Sequence, residues 1–76
     1  MDESLRSEVR TYRFLNGEMT QEVLAARVGV SRQTIIAIEK GKYNPSVGLA
    51  IRIARVFGVP VEAVFGFEED QRRQND

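Results

Sequence analysis

The sequence predicts an all-α domain built from five short helices, and three observations predict it. Gly17, Gly29, Gly41 and Gly58 each close a stretch of helical apolar periodicity, the place where helix C-termini favour glycine. Thr20, Ser31 and Ser46 stand just ahead of such stretches, where a hydroxyl accepts from the first free backbone N–H groups. Period-two alternation is confined to Phe65-Gly66-Phe67-Glu68, so at most one short strand is expected, near the C-terminal end.

Each element follows in order. Leu5, Val9 and Tyr12 recur at i, i+4 and i+7 and make the first helix amphipathic. A second helix runs from the Thr20 cap to Gly29, and a third from the Ser31 cap to Gly41. Asn44-Pro45-Ser46 forms a turn, with Ser46 capping a fourth helix. There Leu49, Ala50, Ile53, Ala54 and Phe57 make a wide apolar stripe. Pro60 suits the first turn of a short fifth helix, where its missing N–H costs nothing. Val61, Val64 and Phe65 give that helix one apolar face. Residues 1–67 are therefore expected to form the domain. Residues 68–76, EEDQRRQND, hold no apolar side chain and are expected to be disordered.

Seventy-six residues accommodate one domain with a small core, for which dimerisation is an expected source of extra stability. Cysteine and histidine are absent, which removes disulfides, the commonest zinc ligands and the commonest general base. No metal site and no cofactor are expected. The opening MDESLRSEVR is acidic and polar and does not resemble a signal peptide, and no apolar run is long enough to span a bilayer. A cytoplasmic protein is expected. The net charge is zero, but it is unevenly spread. Residues 27–55 hold Arg27, Arg32, Lys40, Lys42, Arg52 and Arg55 against Glu39 alone, while residues 56–76 hold five acids and two arginines. A basic middle and an acidic end can thus hide behind a neutral total.

Residues 21–40 carry the functional signal. Two short helices joined by a tight turn need a small residue where they touch and a glycine where the chain reverses, and Ala25 and Gly29 meet those needs. Leu24, Val28, Val30, Ile35 and Ile38 supply the apolar contacts. At about 100° per residue, with Ile35 and Ile38 pointing inward, Gln33 and Lys40 point outward. Ile36 and Ala37 lie beside them, and Arg32 and Thr34 flank the face. Base edges in a DNA major groove are read by such groups: Gln pairs with adenine, Arg with guanine, and apolar side chains touch the thymine methyl. Arg32, Gln33, Thr34, Ile36 and Ala37 are the candidate base-reading residues. Glu39 falls on the inner side, where a carboxylate needs a partner, and Arg13 near the end of the first helix is the candidate for a structural ion pair.

The stretch MTQEVLAARVGVSRQTIIAIEKGKYNPS resembles the helix-turn-helix regulators of Cro/C1 type, the XRE family. The matching residues are Thr20-Gln21, Ala25, Gly29, Ser31-Arg32-Gln33-Thr34-Ile35 and Ile38-Glu39-Lys40-Gly41-Lys42. The likeness continues through Asn44-Pro45-Ser46 to VFGVPVEAVF and covers roughly residues 5–67. It departs in NGEM between the first two helices, one residue longer than usual, and in Gly48, where a better helix former is usual. The resemblance implies a five-helix, lambda-repressor-like fold and a sequence-specific transcriptional regulator, most often a repressor, with the helix opening at Ser31 in the major groove. Its partners would be double-stranded DNA and a second copy of itself. By the same resemblance, Gln21 would clamp a phosphate or reach a base, and Ser31, Lys40, Lys42, Tyr43 and Asn44 would contact phosphates, which set register while base contacts set sequence.

Members of this family commonly act as two-fold dimers on palindromic half-sites. Val61, Val64, Phe65 and Phe67 exceed what a one-turn helix needs to cover, so they are the candidate interface, with residues 65–69 pairing across the axis. The alternative is a protein-interaction module on the same fold, such as an antitoxin or a regulator-sequestering protein. Those usually carry an extra interaction segment, whereas here a nine-residue polar tail follows the domain. An enzyme is opposed by the missing His and Cys and by the lack of a glycine-rich phosphate loop. No small-molecule ligand is expected, because no second domain is present to form a pocket.

Overall fold

A computed structural model describes residues 5–67. The elements in chain order are β1 (Leu5–Ser7), α1 (Val9–Leu15), α2 (Gln21–Val28), α3 (Arg32–Glu39), α4 (Val47–Phe57), α5 (Val61–Val64) and β2 (Phe65–Phe67). The expected tail, 68–76, lies outside the described residues.

The helix starts follow the hydroxyl positions. Thr20 accepts from the Val23 N–H at 3.0 Å, Ser31 from Thr34 at 3.3 Å and Ser46 from Leu49 at 3.1 Å. Each replaces one bond that a helix N-terminus lacks. Gly29 ends α2 at φ 78°, and its N–H donates to the Ala25 carbonyl at 2.9 Å. That left-handed conformation is strained for a side chain bearing Cβ, and it allows α3 to leave sharply from α2. Pro60 occupies the cap position one residue before α5, with φ −67°.

One core serves all five helices. It comprises Val9, Leu24, Ala25, Val28, Ile35, Ile38, Leu49, Ala50, Ile53, Ala54, Phe57, Val64 and Phe65, with Val30 packed against it half-buried. The apolar stripe of α4 faces inward along its length. Tyr12 stacks on Phe57 with ring centroids 5.6 Å apart, a geometry aromatic pairs favour. Arg52 Nε donates to the Val28 carbonyl at 3.1 Å. This ties α4 to a carbonyl in the last turn of α2, which would otherwise lack a helical partner.

Two expectations need correction. The first helix does not begin at Leu5: residues 5–7 form a strand and α1 opens at Val9. The i, i+4 spacing of Leu5 and Val9 fits a helix, but a non-local strand pairing overrides it. β1 pairs antiparallel with β2 in the register Leu5↔Phe67, Arg6↔Gly66, Ser7↔Phe65, and the Glu8 N–H donates to the Val64 carbonyl at 2.8 Å. A Cβ added at Gly66 would lie 2.6 Å from Arg6 Nη2, so a larger residue there would displace the end of the Arg6 side chain. The second correction concerns the expected interface. The strand expected to pair across a dimer axis pairs with the chain's own β1. Val64 and Phe65 are 0% and 7% exposed and belong to the monomer core. Val61 is half-buried, and Phe67 remains exposed.

Candidate nucleic-acid interface

The third helix presents its faces as its sequence orders them. Ile35 and Ile38 are buried, at 0% and 1% exposure. Arg32 and Gln33 are exposed in the first turn, and Lys40 is exposed just past the last. Thr34, Ile36 and Ala37 are half-buried. The Thr34 hydroxyl lies 3.2 Å from Ser31 Oγ, so Ser31 both caps α3 and holds the Thr34 rotamer. Lys42, Tyr43 and Asn44 are exposed in the segment leading away from α3.

Beneath this face sits a polar brace. Arg13 Nε donates to Glu39 Oε2 at 2.6 Å, and Arg13 Nη2 donates to Oε1 at 3.1 Å. This bidentate arrangement is the strongest form of a carboxylate–guanidinium contact. The Arg13 and Glu39 side chains keep only 11% and 9% of their surface exposed. Arg13 Nη1 also donates to the Met19 carbonyl at 2.8 Å. Gln21 Nε2 donates to Glu39 Oε1 at 3.0 Å. The start of α2, the end of α1 and the end of α3 are thereby locked to one carboxylate. The Gln21 amide is oriented by this bond, and its second N–H is left for another acceptor.

The brace forms the floor of an open cleft of about 560 Å³. Its walls include Arg10, Phe14, Met19, Gln21, Ile36 and Lys40. Arg10, Phe14 and Met19 were not among the sequence candidates. Phe14 is 52% exposed, with the Arg10 and Arg13 guanidinium carbons 5.6 and 5.7 Å from its ring centroid. The available signal was its place off the Val9–Tyr12 stripe of the first helix, where an aromatic has no core to fill. Not all of the basic middle is free: Arg52 is spent on the Val28 carbonyl. Among the described residues no cluster of acids could hold a metal ion, and no helix is long and apolar enough to cross a membrane.

Two short helices at a glycine turn, the second projecting arginine and glutamine from its first turn, define a helix-turn-helix domain. A helix-turn-helix family model matches residues 12–64. The chain is 54% identical over 67 residues to an uncharacterized HTH-type transcriptional regulator of Methanocaldococcus jannaschii, covering 88% of this chain and all of the relative. It is 51% identical over 51 residues to another such regulator from Bacillus subtilis, covering 67% of this chain and 77% of the relative. A transcriptional repressor of the cryptic phage CTXphi from Vibrio cholerae is 33% identical over 55 residues, 72% of this chain and 49% of that protein. The chain belongs to the helix-turn-helix family of Cro/C1 type.

Proposed function

We propose that this chain is a cytoplasmic, sequence-specific DNA-binding transcriptional repressor that acts as a two-fold dimer on a palindromic operator. The observation that carries this reading is the first turn of α3. Arg32 and Gln33 stand exposed there on a helix held from below by the Arg13–Glu39–Gln21 brace. A helix fits the major groove, and a rigidly seated one loses little freedom on entering it.

Arg32, Gln33, Thr34, Ile36 and Ala37 read base edges. Arg32 suits guanine, Gln33 adenine, and the Thr34, Ile36 and Ala37 methyl groups suit thymine. Gln21 offers its remaining amide N–H to a phosphate at the start of α2, where the helix dipole favours an anion. Lys40, Lys42, Tyr43 and Asn44 hold the backbone on the far side, and Ser31 adds a contact while capping α3. Arg10 and Lys40 both line the cleft and bring cations to it. The family relatives that are named repressors support the repressor reading.

Selection of bound sequences from a random DNA pool tests it. The wild type should enrich a palindrome whose half-sites are about 34 Å apart, one helical turn. Gln33→Ala should change the preferred base at one position of each half-site, at a cost of about 1–3 kcal/mol for the lost contact. Enrichment of no sequence would overturn the reading, and an unchanged preference would move Gln33 to the phosphate contacts.

A further inference from the structure

The first helix brings a cation and an aromatic ring to the cleft beside α3. Arg10 and Phe14 stand one turn apart on α1, and both are exposed. At that i, i+4 spacing their side chains meet, and the Arg10 guanidinium carbon lies 5.6 Å from the ring centroid. The Arg13 guanidinium carbon lies 5.7 Å from the same centroid. Arg13 is itself fixed by its bonds to Glu39 and to the Met19 carbonyl. A buried ion pair therefore seats Phe14, and Phe14 seats Arg10. Lys40, just past α3, and Glu18, in the turn after α1, line the same cleft. Among the described residues the ion pairs are Arg6–Glu8 and Arg13–Glu39. Two unpaired cations in the lining, Arg10 and Lys40, thus stand against one unpaired carboxylate, Glu18.

We infer that α1 is a third DNA-contacting element: Arg10, held on the Phe14 ring, takes a backbone phosphate, and the ring packs against the adjoining deoxyribose. The inference rests on the DNA-binding reading and extends it beyond the two helices of the helix-turn-helix unit. Three observations select this ligand. Gln21 and Ile36, which that reading sets on a phosphate and on a base, line the same cleft, so a strand lying across them passes Arg10 and Phe14. The unpaired charges leave one net positive charge in the lining, which suits a phosphodiester carrying one negative charge. The cations share the cleft with apolar surface from Phe14 and Ile36, and a sugar–phosphate backbone presents the complementary pair, a charged oxygen cluster beside a less polar ring. Phe14 is 52% exposed and gains burial when a sugar covers it. An Arg10 already held on that ring loses little freedom when the phosphate arrives. Glu18 opposes the phosphate from the same lining and lowers the affinity for every sequence alike.

Binding of the full chain to a short fluorescein-labelled duplex of random sequence, followed by anisotropy across a salt series, tests the inference. Arg10→Gln should reduce the slope of log affinity against log salt by about 0.9 and weaken binding about five- to tenfold near 0.1 M salt. Arg10 is exposed, so the melting curve of this variant should not move. Phe14→Leu should weaken binding about two- to fivefold at an unchanged slope, the strength of an exposed cation–π contact, and Phe14→Tyr, which keeps the ring, should restore it. Glu18→Gln should tighten binding about twofold, because it removes a charge of the phosphate's own sign. Inorganic phosphate at millimolar concentration and constant ionic strength should leave the melting temperature of the wild type unchanged. A rise in it that Arg10→Gln abolishes would place a free phosphate in the cleft and overturn the DNA assignment. An unchanged salt slope in Arg10→Gln, or wild-type affinity in Phe14→Leu, would overturn the role of α1 while the DNA-binding reading stands. A wild type that binds no duplex would overturn that reading, and this inference with it.

Discussion

Replacing Arg13 with methionine keeps most of the side-chain volume and removes the guanidinium. Glu39 would then hold a carboxylate that is 9% exposed, with the Gln21 amide as its remaining donor. Removing one member of a buried pair costs about 3–5 kcal/mol, whereas an exposed pair is worth about 0–1 kcal/mol. Side-chain exposures of 11% and 9% place this pair near the buried limit without enclosing it fully, so the lower end, about 3 kcal/mol, is expected. A domain of 76 residues has about 4–11 kcal/mol of total stability. The variant should therefore lose a large part of its margin, and its melting temperature should fall by about 12–24 °C at roughly 4–8 °C per kcal/mol. Thermal unfolding by circular dichroism measures this. Arg13→Met combined with Glu39→Met should cost less than the two single changes together, because the double variant strands no charge. A fall below about 5 °C for Arg13→Met, the size of a surface pair, or strict additivity in the double variant, would refute the brace as a stabilising unit.

Two further outcomes follow from local geometry. Glu18 sits at φ 58°, a left-handed conformation that costs a side chain about 1–2 kcal/mol. Glu18→Gly should stabilise the domain by about 0.5–1 kcal/mol after glycine's own entropic cost, and an unchanged or lower melting temperature would show that the turn is not strained. Lys42→Ala should weaken binding to all DNA sequences alike and reduce the slope of log affinity against log salt by about one unit. A change in the preferred sequence would place Lys42 on a base instead.

Much of the fold is written in short-range chemistry. The caps at Thr20, Ser31 and Ser46 and the reversal at Gly29 depend on residues three or four apart, so the chain announces them locally. The direction of Arg32 and Gln33 follows from the inward pull of Ile35 and Ile38 on a rigid 3.6-residue period. Glu39 is legible on the same wheel as an inward carboxylate in need of a cation. The extra residue in NGEM is legible as an insertion, while its solution, consecutive left-handed residues at Gly17 and Glu18, is visible only in the folded turn.

Tertiary structure decided the rest. Nothing near Leu5 says that it will pair with Phe67, because strand pairing depends on where five intervening helices deliver the two ends of the domain. That delivery buries Val64 and Phe65, which periodicity left for an interface, in the monomer core. Arg52 is a surface cation by sequence and a support for the Val28 carbonyl in the fold. Arg10 and Phe14 join the cleft only because α1 packs against α3, where Arg13 meets Glu39. By itself, then, the sequence determined which helices form and which side of α3 faces out, since those choices rest on neighbours along the chain. Only the folded chain decided which remaining apolar and basic groups are spent inside the domain and which stay free for DNA or a partner, since that depends on contacts between residues far apart in sequence.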